Sequence, residues 1–206
     1  MKLKDKIRSP SFIETFGSGE LGPHELLSIF EATSEKMLTH ESKYGHLLFP
    51  LKPREIEARQ VMSEVLNGSR LNYMIECPIH SPFQKLKNRT SFVDLSIFLK
   101  HGIIDIEFKQ SPSDIDRDFP KLLSDSSIGC ASFYLFNGKK IDNQLNLIKD
   151  RFQAAYNHTL DLNGEFVPFF DKWYLMYLIA IKEKRMFYQI HKNLKNLNFS
   201  DIIEKA

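Results

Sequence analysis

From Thr90 to Gln110 the chain reads TSFVDLSIFLKHGIIDIEFKQ, apolar and polar residues alternating on either side of His101-Gly102. A period of two predicts strands, and the interruption predicts a tight turn joining them as a hairpin. On the second strand Ile104, Ile106 and Phe108 share one face while Glu107 and Lys109 share the other. On the first, Val93, Leu95 and Ile97 alternate with Asp94 and Ser96. The expectation is one face for the core and one for the chemistry, with Asp105 on the latter, either shaping the site or sitting at the strand's wet end.

Other stretches change period. Pro53 to Asn67 has helical spacing, with Ile56, Val61, Val65 and Leu66 on one side and Glu57, Gln60 and Glu64 in a second stripe, and it stops at Gly68. Leu71 to Cys77 reads as a strand ended by Pro78. After the hairpin, Ser113 is a plausible N-cap for a helix with Ile115, Phe119, Leu122 and Leu123 as its apolar face, limited or bent by Pro120. Ala131 to Phe136 is apolar on both faces, as a central strand would be, and Asn137-Gly138 marks a turn before a helix from Ile141 to Tyr156. This strand–helix–strand passage favours a right-handed parallel crossover.

Upstream lie a polar arm, a Gly-rich turn at Gly17 to Gly22, a helix from Pro23 to about Leu38 and a connector from Thr39 to Lys52. Downstream, Lys172 to Lys192 holds two apolar runs about Lys182-Glu183-Lys184-Arg185, the pattern of a β-hairpin with a charged tip, and Asp201 to Lys205 is a short terminal helix or a frayed end. The whole predicts an α/β fold, a mixed central sheet flanked by helices with an added C-terminal hairpin. Residues 1–52 pack on a main domain of 53–206, and the two form one structural domain.

Pairing of the two central strands brings Asp94 near Glu107 and Lys109. Two carboxylates at that distance repel, and a divalent ion relieves the repulsion. Mg²⁺ takes one or two protein carboxylates and completes its shell with water and phosphate oxygens, and an amine beside it can position the attacking water.

Asp94 followed thirteen residues later by Glu107-Phe108-Lys109 resembles the core motif of the PD-(D/E)XK nuclease superfamily. The ordered context resembles it too: helix ending in Gly, strand, strand with Asp, strand with Glu-x-Lys, helix, strand. Val93 stands where the motif has Pro. The resemblance spans roughly residues 53 to 137. It implies a restriction-endonuclease-like fold and metal-dependent hydrolysis of DNA, leaving a 5′-phosphate and a 3′-hydroxyl. It further implies that Asp94, Glu107 and the Phe108 carbonyl hold Mg²⁺, with Mn²⁺ able to substitute, and that Lys109 positions the water. A helix carboxylate completes the shell, Glu57 or, as second choice, Glu64. An RNA-processing nuclease with the same site and an inactive binding or assembly module are the alternatives.

Composition narrows this little. With 206 residues, 42% hydrophobic, 26% charged and a formal net charge of +2, nucleic acid would have to be met by a local patch. Lys85, Lys87 and Arg89 alternate on one loop, either as contacts to a phosphate backbone or as a solvated turn. Trp173, Tyr174, Tyr177, Phe187 and Tyr188 suit a core or a homodimer interface better than stacking on bases. Two cysteines fit a reducing, cytoplasmic setting, and neither a membrane span nor a signal peptide is read. His191 reads as structural.

Overall fold

The computed structural model describes residues 9–44, 55–79, 91–113, 128–138, 140–162, 171–195 and 197–205, with Ile115, Phe119, Lys121 and Leu122. Seven strands form one sheet in chain order: β1 (Asn72–Ile79), β2 (Ser91–Leu99), β3 (Gly102–Lys109), β4 (Gly129–Phe136), β5 (Trp173–Ala180), β6 (Arg185–His191) and β7 (Ile203–Lys205). The pairs β3–β4 and β4–β5 are parallel and the outer pairs antiparallel, so the sheet is mixed.

Helices α1 (Pro10–Phe16), α2 (Pro23–Tyr44), α3 (Glu55–Asn67) and α4 (Asp142–Leu162) flank it. The stretch read as a polar arm forms α1 because Ser9 caps it, its hydroxyl accepting from Phe12 N, with Pro10 beginning the first turn. Glu25 Oε2 accepts the Gly22 N–H at 3.0 Å, which fixes the start of α2. That helix runs on to Tyr44, so part of the expected connector is helical.

Parallel strands in the middle require cover on both faces, and both are covered. Over one face, α2 and α3 bury Leu26, Phe30, Met37, Ala58, Met62 and Leu66 against Leu95, Ile97, Ile104, Ile106, Phe108, Phe133 and Tyr177. Over the other, Ile148, Phe152 and Ala155 of α4 join Ile115, Phe119 and Leu122 of the β3–β4 connection on Tyr134, Tyr174 and Leu178. Thr33 interrupts the apolar stripe of α2 without harm, because its hydroxyl donates to the Ile29 carbonyl.

Several sequence expectations are corrected. The face of β3 that carries charge is not wet: Asp105, Glu107 and Lys109 are all buried. Pro78 does not end β1 but sits inside it opposite Phe92, tolerated because β1 is an edge strand and the missing N–H can face away from the ladder. Ser113 is already helical; Ser111 Oγ accepts its N–H and precedes Pro112 at the first helical position. The run Trp173–Ala180 is not an arm added to the sheet but an interior strand, paired in parallel with β4 before turning antiparallel into β6. The segment Asp201 to Lys205 is neither helix nor frayed end, since Ile203–Lys205 pairs with β6 and Arg185 holds Glu204 through two hydrogen bonds. Trp173 lies so close over Gly129 that a Cβ there would stand 2.2 Å from the indole.

Candidate active site

Asp94 stands where β2 leaves its regular ladders. The β2–β3 register runs from Leu99↔Gly102 to Leu95↔Ile106, and on the other side Ile75↔Leu95 and Cys77↔Val93 are partners with Glu76 and Asp94 between them. Glu76 has φ 52°, a left-handed backbone uncommon for any residue but Gly. The consequence is a change of face. Met74 and Cys77 are three residues apart, yet both pack in the α4-side core, and Val93 joins that core while Leu95 and Ile97 pack in the other. Strict alternation would put Met74 and Cys77 on opposite faces and keep Val93 on one face with Leu95 and Ile97. Freed from pairing, the Asp94 carboxylate takes the Phe108 N–H through Oδ2 at 2.8 Å.

Around this point the expected residues converge. Lys109 Nζ donates to Glu107 Oε2 at 2.7 Å and lies 3.8 Å from Asp94 Oδ2. Residues i and i+2 of one strand can do this because they share a face. Phe108, between them, points to the opposite core and meets the Phe133 ring at 5.4 Å. The side chains of Glu107 and Lys109 are 2% and 5% exposed, and Asp94 is 23% exposed, so the cluster opens to solvent on the Asp94 side.

Three further residues belong to it that the sequence reading passed over. Arg59, on α3, reaches Asp94 Oδ1 at 3.5 Å and Glu76 Oε1 at 3.3 Å. Lys121, from the β3–β4 connection, makes a charge contact of 3.0 Å with Glu107 Oε1 and donates to the Phe92 carbonyl at 3.3 Å. Three carboxylates thus face three cations. Buried charge is tolerated only when so paired, and none of the three newcomers carries a motif signal, because each arrives from a different element.

Of the two helix carboxylates, Glu64 pairs with Lys36 of α2. Glu57 is half-buried in the first turn of α3. Among the described residues no three His, Cys, Asp or Glu side chains are grouped to hold a metal ion, so the protein donors brought together are Asp94 and Glu107. That pair of hard oxygens still suits Mg²⁺, which fills most of its shell with water and phosphate. Lys85, Lys87 and Arg89 lie outside the described residues.

Other polar groups line the same side of the sheet. Ser96 Oγ bonds the buried Asp105 carboxylate, its register partner on β3, which ties Asp105 into the hairpin and away from solvent. Ser132 stands beside Glu107 in the β3–β4 register, and burial pushes the neighbouring Tyr174 hydroxyl well up, opposed by the nearby Ser132 hydroxyl. His191 stacks on Tyr174 at 6.1 Å, and burial holds its imidazole down to about 4, opposed by the charge of Asp201. Cys77 and Cys130 are buried and form no disulfide. Tyr174, Tyr177 and Phe187 lie in the core, which removes them as platforms for bases. A cavity of about 400 Å³ opens at the other end of β3, lined by Gly19, Glu20, Glu25, Leu99, His101 and Ile128. It holds none of the clustered charges.

No helix among the described residues is long and apolar enough to cross a membrane. Comparison with protein-family models, curated proteins and solved structures finds no match to this chain.

Proposed function

We propose that the chain is a metal-dependent endonuclease that hydrolyses DNA phosphodiester bonds, on a sheet of restriction-endonuclease-like type. One observation carries this reading: two carboxylates from adjacent strands and a lysine ammonium meet within 4 Å at the point where β2 departs from its ladder. A buried carboxylate and a part-buried one bridged by an amine are a costly arrangement for a purely structural core, and they offer the groups that in-line displacement at phosphorus uses.

In this reading Asp94 and Glu107 would hold Mg²⁺, which would supply charge stabilisation at the phosphoryl oxygens. The Phe108 N–H fixes Asp94 by its hydrogen bond, so one metal-binding carboxylate is set by backbone. Lys109 orients the attacking water, and burial of its stem keeps the ammonium from wandering. Water would add to phosphorus and give up a proton to solvent as the bond from phosphorus to the 3′ oxygen breaks, and the leaving oxygen would take a proton from solvent, giving a 5′-phosphate and a 3′-hydroxyl. Glu57 is the α3 carboxylate that would support the metal.

A second reading is favoured by the ion pairs themselves. Three cations neutralise three carboxylates without any metal, as a nuclease-fold binding or assembly module would require. Cleavage of circular plasmid, single-stranded and branched DNA, and matched RNA, with Mg²⁺, Mn²⁺ or EDTA, separates the two. Metal-dependent products that vanish in Glu107→Ala and Lys109→Ala are expected. RNA cut in preference to DNA would move the assignment to RNA processing, and the absence both of products and of metal binding would leave the assembly module.

A further inference from the structure

Lys121 has no part in the reaction as outlined. Lys109 takes Glu107 Oε2 and Lys121 faces Oε1, so both oxygens of the proposed metal ligand are met by ammonium groups. A divalent ion shared between Asp94 and Glu107 requires one of these contacts to be given up. Lys109 lies on an interior strand, 5% exposed, and is shared between both carboxylates. Lys121 is 15% exposed, comes from a connecting segment, and is steadied by the neutral Phe92 carbonyl. Its contact with Glu107 is the weaker constraint, and a long flexible stem lets its ammonium swing to solvent with little loss of packing.

We propose that Lys121 is a resident counter-ion of Glu107, that a divalent cation displaces it, and that the released ammonium then meets a phosphate of the nucleic-acid strand. It rests on the reading above that Asp94 and Glu107 hold the metal. Two consequences follow from charge alone. Before loading, Lys121 and Lys109 face the two oxygens of the buried Glu107 side chain. After loading, the cation moved aside is available to the substrate, so metal and nucleic acid favour each other's binding, and by linkage the favour is reciprocal.

Calorimetric titration with Mn²⁺ alone, on wild type, Lys121→Gln and Lys121→Arg, tests the first step. Lys121→Gln removes the competitor and should tighten Mn²⁺ binding roughly tenfold, the scale on which a neighbouring cation alters a carboxylate; Lys121→Arg, which keeps the charge, should stay near wild type. Binding of a short DNA duplex, measured with Ca²⁺ and with EDTA, tests the second. The gain in affinity on adding Ca²⁺ should be larger for wild type than for Lys121→Gln. If Lys121→Gln fails to fold, the side-chain ¹⁵N resonance of Lys121 in wild type is followed through a Mg²⁺ titration and should move to the position of a solvated ammonium. Unchanged Mn²⁺ affinity in a folded Lys121→Gln, or an unmoved resonance while metal binds, overturns the Lys121 assignment alone. No metal uptake by wild type overturns it together with the reading it rests on.

Discussion

Glu107→Gln changes one oxygen to an amide and leaves the volume of the side chain almost untouched, so its effect isolates charge. In the native fold the Glu107 carboxylate is 2% exposed and faces Lys109 at 2.7 Å and Lys121 at 3.0 Å, those two lysines being 5% and 15% exposed. Removing one partner of a buried pair costs about 3–5 kcal/mol, because the remaining charge is left in a poor solvent. Lys121 can turn toward water and Lys109 keeps Asp94 at 3.8 Å, which places the expected loss at the lower end, about 3 kcal/mol. For a chain of this length that is a fall in melting temperature of roughly 6–12 °C. Urea unfolding followed by the fluorescence of Trp173, the one tryptophan, reads it directly. The double variant Glu107→Gln, Lys109→Met should lose less than the sum of its parts, since the second change removes the charge stranded by the first. A single-variant loss below about 1 kcal/mol, in the range of an exposed ion pair, would refute the claim that these ions compensate one another in the interior.

Lys109→Ala should abolish turnover while leaving DNA affinity largely intact in gel-shift and cleavage assays run side by side; undiminished turnover would remove Lys109 from the mechanism. His191 is held near 4 in the fold against 6.5 when free, so the unfolded chain binds the extra proton between those values. Stability contributed by the neutral ring is therefore whole above pH 6.5 and is lost as pH falls toward 4. The loss is about 1–2 kcal/mol after allowance for partial exposure, and His191→Phe should flatten that slope in denaturant titrations at stepped pH. Gly129→Ala forces a methyl into the Trp173 ring and should cost about 1–3 kcal/mol with a shift of the tryptophan emission; unaltered emission would mean the ring is not seated there. Glu204→Ala releases Arg185 from its two contacts on β7, and hydrogen exchange should quicken at Ile203–Lys205 while β5 amides stay protected.

What the sequence disclosed was the part governed by local period. The alternation about His101-Gly102 located β2, β3 and their turn, and the spacing of Glu107 and Lys109 put them on one face, where they meet. The residues that complete the charge cluster were invisible for a physical reason. Arg59, Glu76 and Lys121 come from a helix, an edge strand and a connection, and no periodic rule relates side chains across three elements. Burial of the charged face was not legible because alternation reports polarity, not exposure: Asp105 and Glu107 are polar and buried, with Ser96 and Lys121 as partners that only the tertiary fold supplies. Pro78 misled because a rule valid for interior strands was applied to an edge, and the terminal strand was missed because three residues are too few to show a period.

The sheet order, each strand beside its neighbours in the chain, bears on how the protein is made. A nascent chain can lay down this sheet in the order of translation, without waiting for a distant partner, because every pairing closes a loop already synthesised. The β2–β3 hairpin brings Asp94, Glu107 and Lys109 together as soon as Lys109 has left the ribosome, before β4 and α4 exist to bury them. Opposite charges are thus matched while water still surrounds them, and the later strands close over a nearly neutral group. A variant that deletes one charge should therefore falter during synthesis, as aggregated or degraded product, beyond what its equilibrium stability alone would suggest.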